Sequence, residues 1–579
     1  MSLSEDTETG GRLSLRRDGA AALLLCAAVL AVFGQAVRFD FLAMDDLAVV
    51  VDNPGVRPGL SAEGLRFALT QYHFGIWMPV TTLTHLLDVS LFGMRPAGHH
   101  AQSLLWHLAA SLLWYLALVR LTGRPGAALA AALLFALHPM RAEAAAWVAS
   151  RKEVVSGCWF AAAVFVYAGQ RGGRPSAARL AAVFLVMVLA LLSKPTTLTL
   201  PFALLLLDAW PLGRVELRRP ATWARPVLEK LPLFALCAPA VWLGRAGQAS
   251  LNALSWTGDL PLSFRAGNAL VSYARYLGHT FWPVRLMGHY PELRGALTPG
   301  MVAGAAALLL AVTAAVLVPA LRRGGRPRPL VGWLWFLGTL LPVIGLAGFG
   351  NAALADRWAY VAHMGLLAAL VFAGADAVSC PRARAVLAAA LVAATAGLGA
   401  WQTSFWRNDE TLCRRMLEVS GGENAMGRGN LGLVLWKRGD LAGALEQYRE
   451  AVRLQPGNPA WLANLAATLT DLGRFAEAGE ALAPHVDAFA WDPRVRMQYG
   501  RALYEQDRCR EALPHLAAAA ALAPRDPVCA VNHGLCLMAL GDLERAAAEF
   551  RRTLALDPGS ALARQCLEDI RNARESRGK

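Results

Sequence analysis

The sequence predicts an all-α protein in two parts: a polytopic membrane domain and, behind it, a helical solenoid. Two observations carry that prediction. Apolar stretches near bilayer length recur from residue 18 to residue 402, and from residue 424 a 34-residue period replaces them. Composition agrees, with 56% of the 579 residues hydrophobic, 17% charged and a mean hydropathy of +0.38. The formal charge of +14 would suit a nucleic-acid partner. Its cations, however, cluster between the apolar stretches, at Arg120/Arg124, Arg171/Arg174, 214–225, 322–328 and Arg382/Arg384. That is the pattern of the positive-inside rule, so topology rather than nucleic acid explains the charge. Nine cysteines without a CxxC pair indicate neither a zinc site nor a redox motif.

A tail, 1–17, carries Arg12, Arg16 and Arg17 ahead of the first span, 18–38, which lacks a small-x-small cleavage signature. It reads as a retained signal anchor. Ten further spans are expected at 101–120, 125–139, 155–170, 177–193, 196–211, 230–246, 299–320, 329–348, 358–378 and 384–402. Those at 125–139 and 196–211 fall short of the roughly 20 residues a crossing needs. Residues 264–284 contain Tyr273, Tyr276, Arg275 and Trp282, which suit a membrane boundary, and are read as an interfacial or re-entrant helix. With the basic clusters inside, the outer segments are 39–100, 139–153, 193–196, 247–298, 349–357 and everything after 402. Within loop 39–100, amphipathic stretches 61–72 and 80–92 are expected to lie on the outer leaflet, with Ser61 and Glu63 starting the first helix.

A linker, 403–423, leads to the periodic region, 424–565, and a tail, 566–579. Ala444, Ala478, Ala512 and Ala546 recur every 34 residues. So do Pro456, Pro524 and Pro558, with Ala490 in the vacant slot, and Gly439, Gly473 and Gly541, with Asp507 in theirs. Tyr448, Leu482, Leu516 and Phe550 keep the large apolar position. A small residue lets two antiparallel helices approach, the glycine serves their turn and the proline follows the second helix. Four registers in step predict about four tetratricopeptide (TPR) repeats, whose concave face suits an extended peptide.

The polar residues at the outer helix ends carry the chemistry. Asp45 and Asp46 follow the first span directly, where a carboxylate is solvated or paired. One reading is an acid pair that marks a helix end; the other is a catalytic base at the mouth of a membrane-embedded pocket. Four more groups fall on that side: 77–82, 138–153 with His138, Arg141, Glu143, Arg151, Lys152 and Glu153, then 193–195 with Lys194, and 355–360 with Asp356 and Arg357. Outer cations break the positive-inside tendency, which converging on a lipid phosphate would explain. Otherwise the pairs Arg141–Glu143, Lys152–Glu153 and Asp356–Arg357 neutralise one another locally. His99, His100 and His107 are expected to hydrogen-bond neighbouring helices rather than hold metal, and His138 to cap its helix.

In order, MDD (44–46), WMPVTTLTHLLD (77–88), GHHAQSLLWH (98–107), HPMRAEAAAWVASRKE (138–153), LLSKPTTLTLPFALLLLDAWPL (191–212), YLGHTFWPVRLMGHYP (276–291) and ADRWAYV (355–361), then the repeats, span nearly the whole chain. Together they resemble the transmembrane and TPR-containing O-mannosyltransferase family and its bacterial relatives, within the GT-C glycosyltransferases. The resemblance implies a multi-span enzyme taking a sugar, mannose in that family, from a polyprenyl-phosphate carrier on the non-cytoplasmic face. The acceptor would be Ser or Thr of a protein that the repeats bind. It places the protein in a bacterial inner membrane, N-terminus cytoplasmic and repeats periplasmic, with membrane lipids and the lipid-linked donor as partners. An acid of the first outer loop acts in that class, which maps onto Asp45 or Asp46. Asp46 is favoured because it lies farther from the span and is expected to project into the aqueous site. Arg141, Glu143, Arg151, Lys152, Lys194, Asp356, Arg357 and His138 would bind substrate. The chain has Asp-Asp where that class often has Asp-Glu, and Trp77-Met78-Pro79 where a basic residue is usual, which removes a cation from this loop. No cofactor is indicated beyond the lipid-linked cosubstrate, with a divalent cation left open. Glycosylation of a lipid or envelope glycan, or a non-catalytic scaffold, are the alternative readings.

Overall fold

The computed structural model describes residues 13–73, 75–169, 174–250, 260–291, 296–322, 325, 327–346 and 353–577. Arg12, Arg171, part of the cluster at 322–328 and parts of the expected outer segments 247–298 and 349–357 lie outside them. The described residues form helices joined by turns, without a strand, and divide into two compact units, 1–415 and 416–579.

Among the described residues of the first unit, six helical stretches are long and apolar enough to cross a membrane: Leu15–Arg38, Pro96–Thr122, Ala224–Gly247, Pro299–Leu321, Asp356–Ala377 and Pro381–Ser404. Six is fewer than the eleven expected spans. Pro125–Leu137, Ala177–Ser193 and Pro195–Ala209 are apolar but shorter. Arg328–Leu340, 13 residues long, ends well short of the expected end of the 329–348 span. The chain leaves helical geometry near Lys194, Pro195 and Leu341. Apolar composition alone does not reveal those breaks. The segment read as interfacial is a 20-residue helix, Leu262–Phe281, that buries Val271, Tyr273 and Tyr276.

The helices that position polar groups are α1 (Leu15–Phe33), α2 (Ala62–Thr70), α3 (Pro79–Phe92), α4 (Pro96–Thr122), α5 (Pro125–Leu137), α6 (Ala142–Ala146) and α7 (Arg151–Tyr167). Ser61 caps α2 as expected, its hydroxyl accepting from Gly64 N at 3.1 Å. By contrast, α3 does not simply rest on a leaflet surface. It buries Thr81, Thr82, His85 and Asp88, and Thr81 donates to the Ser193 carbonyl at 2.9 Å. Buried polar side chains need partners, and this helix finds them inside the helical body.

At the opposite end of α7, Asp208 ties three helices together. Its carboxylate accepts from Tyr167 at 2.7 Å, Lys230 at 2.5 Å and Arg214 at 2.7 Å. Asp208, Tyr167 and Lys230 are fully buried, so this clamp sits in low dielectric with every partner present.

The second unit contains four helix pairs. They are Ala425–Lys437 with Leu441–Leu454, Pro459–Asp471 with Phe475–Leu482, Pro493–Tyr504 with Cys509–Leu522, and Pro527–Ala539 with Leu543–Leu556; Ala561–Arg577 follows. The expected alanines 444, 478, 512 and 546 are fully buried, as are Leu482, Leu516 and Phe550, with Tyr448 nearly so. Each first helix opens on a side-chain cap: Asn424, Asn458, Asp492 and Asp526 accept from backbone amides two or three residues on. Such caps contribute about 1 kcal/mol each. Gly439, Gly473 and Gly541 take φ of 82°, 74° and 82°, and Asp507 in the fourth slot takes 61°. The expected linker contains the helix Asp409–Ser420, and the unit boundary falls within it.

Candidate functional site

The turn after α1 brings Asp45 and Asp46 to the start of α7, where they meet different surroundings. Asp46 is fully buried and does not project into water, contrary to expectation. Its two oxygens accept from Leu42 N at 2.9 Å and Ala149 N at 2.7 Å, so it pins its own turn to the segment ahead of α7. A one-residue step in a tight turn reverses which side chain faces inward. Burial pushes the Asp46 carboxyl up to about 7. Asp45 is only partly buried and faces cations: burial raises its pKa, while Lys152 and Arg357 pull it down.

Arg357 comes from the 3-10 turn Asp356–Trp358. Its backbone N–H donates to Glu143 Oε2 at 2.7 Å and its guanidinium pairs with Glu143 Oε1. Lys194, in the break after Ala177–Ser193, donates to both Glu153 oxygens, at 2.6 and 2.7 Å. Lys152 donates to the Ala149 carbonyl at 3.1 Å and, among the described residues, has no carboxylate within ion-pair distance. Burial, with Arg357 nearby, lowers its ammonium to about 8. The result is one electrostatically linked group of Asp45, Glu143, Lys152, Glu153, Lys194 and Arg357, drawn from four separate sequence segments.

None of the three sequence-local ion pairs forms. Glu143 takes Arg357 rather than Arg141, Glu153 takes Lys194 rather than Lys152, and Asp356 takes Tyr290, whose hydroxyl donates to it at 2.8 Å. Adjacent residues in helical turns point apart, so the partners come from other segments.

Five nominated residues stand outside this group: Asp46 and Asp356, placed above, and Arg141, His138 and Arg151. Arg141 is fully buried against the Phe135 and Tyr360 rings, with Nη2 bonded to the Ala359 carbonyl and His363. His138 accepts from Met140 N at Nδ1 and bonds the Thr280 carbonyl through Nε2, so both ring nitrogens are occupied in capping. Arg151 spends its donors on Ser103, Thr84, Gln102, His99 and Asp88. Around it, ligand atoms of His85, Asp88 and His99 lie within 4.8 Å of one another, a spacing that a metal ion could use. Arg151 sits 2.5 Å from Asp88 and already supplies the cation. His100 bonds the Asp40 carbonyl, His99 the Gly93 carbonyl, and His107 both Tyr360 and the Ala136 carbonyl.

Sequence reasoning missed Tyr290, although it lies in the 276–291 motif. It also missed Asp409, which accepts from Ala43 N at 2.8 Å and so holds the acid turn from beyond the last long helix.

Residues 435–502 and 499–561 match tetratricopeptide repeat models. Over 517 residues the chain is 26% identical to the human protein O-mannosyl-transferase TMTC1, covering 78% of this chain and 57% of that protein. The chain is similar in sequence to the protein O-mannosyl-transferase TMTC1 along most of its length. The mouse TMTC1 is 32% identical over 165 residues, 27% of this chain and 17% of that one, so the matches cover less than two thirds of these relatives. Mouse TMTC3 is 27% identical over 157 residues, 26% of this chain and 17% of that one. Among solved structures, the TPR protein YrrB, described as having an unusual peptide-binding site, matches with a TM-score of 0.25 and 22% identity. That match covers 28% of this chain and 84% of YrrB. The apolar helices support a membrane protein, and the repeat models support a TPR unit behind it.

Proposed function

We propose that the protein transfers a hexose, mannose by homology, from a polyprenyl-phosphate carrier to Ser or Thr hydroxyls of proteins on the non-cytoplasmic face. The repeats would hold the acceptor. The observation that carries this reading is the partly buried Asp45 on a turn that Asp46 pins to Ala149, next to the Lys152 segment, with Lys152 and Arg357 favouring its ionised form. A hydroxyl is a poor nucleophile, so a carboxylate that takes its proton as the new bond forms accelerates attack. The leaving lipid phosphate develops charge that fixed cations stabilise. Lys152 suits that task because no carboxylate already claims its ammonium among the described residues. Arg357 and Lys194, each held by a glutamate, set the field around it. Asp45 is the base in this reading, and Asp46 is the positioning residue that fixes its turn.

The test is sugar transfer in membranes carrying Asp45→Asn or Asp46→Asn, at matched expression and with binding of the lipid donor measured separately. Asp45→Asn is expected to lose about 10²–10⁴-fold in turnover while still binding donor. Near wild-type transfer by Asp45→Asn, with loss in Asp46→Asn, would give the base to Asp46. Undiminished transfer by both would remove the acid pair from catalysis.

A further inference from the structure

We propose that the cavity beside α5 binds an anionic glycerophospholipid, with its phosphate at the Arg124–Arg384 end and an acyl chain along the helix. The cavity has a volume of about 810 Å³. Its walls come from α5, the end of Leu262–Phe281, Asp356–Ala377 and Pro381–Ser404. Arg124 precedes α5 and His138 follows it, and both line the cavity. Thirteen helical residues separate them, a rise of about 20 Å. One leaflet's hydrocarbon is about 15 Å deep, half the bilayer core, so a single acyl chain of that depth fits within this length.

Charge decides which lipid enters and which way it points. The cations lining the cavity, Arg124 and Arg384, come from clusters far apart in sequence and meet at one end. Arg328 joins them through Asp376, which it shares with Arg124. Among the described residues, Arg124, Arg328 and Arg384 therefore gather about the single carboxylate of Asp376. Arg384 donates to the Ala375 carbonyl at 3.2 Å and has no carboxylate partner among the described residues. At the other end, His138 and Thr280 are bonded to the protein and offer no cation. A phosphate is thus stabilised at the arginine end, by charge-assisted hydrogen bonds. The sides are apolar and open laterally, with Leu370, Leu387, Leu391 and Phe281 exposed along them.

This inference does not rest on the proposed reaction. It distinguishes the cavity from a donor site, because a sugar donor must place its phosphate near Asp45 rather than at Arg384. The experiment is native mass spectrometry of the purified full chain, titrated separately with phosphatidylglycerol, phosphatidylcholine, a polyprenyl phosphate and glycerol phosphate. Phosphatidylglycerol should be retained, phosphatidylcholine and glycerol phosphate should not, and polyprenyl phosphate should not displace it. Arg384→Gln should weaken retention about tenfold and Arg384→Lys should largely restore it. Ala388→Phe, which keeps the arginines but fills the space, should also abolish retention. Helicity and monodispersity of each variant separate lost binding from lost folding. Equal retention of phosphatidylcholine, binding of glycerol phosphate alone, or unchanged retention in folded Arg384→Gln would overturn the proposal. Displacement by polyprenyl phosphate would also overturn it and give the cavity to the donor.

Discussion

Asp507 stands where the other repeats have glycine and takes the same left-handed backbone, φ 61°. Aspartate tolerates that region because its short side chain bonds locally, whereas a β-branched residue clashes there. Asp507→Gly should therefore stabilise the third helix pair by about 0.5 kcal/mol and Asp507→Val should destabilise it by about 1–2 kcal/mol. Hydrogen exchange across residues 493–522 of the full chain reads both. At the site, the proposed base must be ionised and the proposed cation protonated. Burial raises Asp45 above an ordinary carboxylate, so the acidic limb of turnover should lie above the usual aspartate range. Burial lowers Lys152 to about 8, so turnover should fall as pH rises through 8. Lys152→Arg keeps its charge at that pH, and its alkaline limb should move upward. A limb that stays near pH 8 in the arginine variant would assign it to another group.

Between elements, the decisive contacts are buried ion pairs joining segments far apart in the chain. Asp208 holds Lys230, Arg214 and Tyr167 at the end of α7 away from the candidate site. Asp208→Asn leaves the Lys230 ammonium buried without its counter-charge, which costs about 3–5 kcal/mol. The expected result is a lower unfolding temperature, which Lys230→Met in the same chain should partly recover by removing the orphaned charge. Full stability of Asp208→Asn would mean that water solvates the clamp. The sequence put Asp208 in a recognisable stretch, LLLLDAWPL, yet showed neither partner. Glu143–Arg357 and Lys194–Glu153 were equally hidden, because each pair spans a loop whose path only packing determines.

For the whole molecule, the basic clusters predict a cytoplasmic N-terminus and a repeat unit on the opposite side. Exposed Cys380 then lies on the inner side, and Glu480, on the surface of the repeat unit, on the outer side. A membrane-impermeant maleimide should label Glu480→Cys in spheroplasts with an intact inner membrane, and Cys380 only after permeabilisation. The reverse pattern would invert the topology and remove the argument for an outer site. Periodicity alone determined the repeats, their buried alanines and their turns, because each repeat contacts its neighbours and a local pattern suffices. Composition alone determined the apolar helical domain, and motif order the polar residues at its helix ends. The tertiary structure decided which of those residues meet. It turned Asp46 inward onto two backbone amides, left Asp45 partly exposed in the field of Lys152 and Arg357, and withdrew Arg141, His138 and Arg151 into structural bonds. The reason is physical: burying a polar group requires a partner, and a partner far along the chain is assigned only when the helices pack.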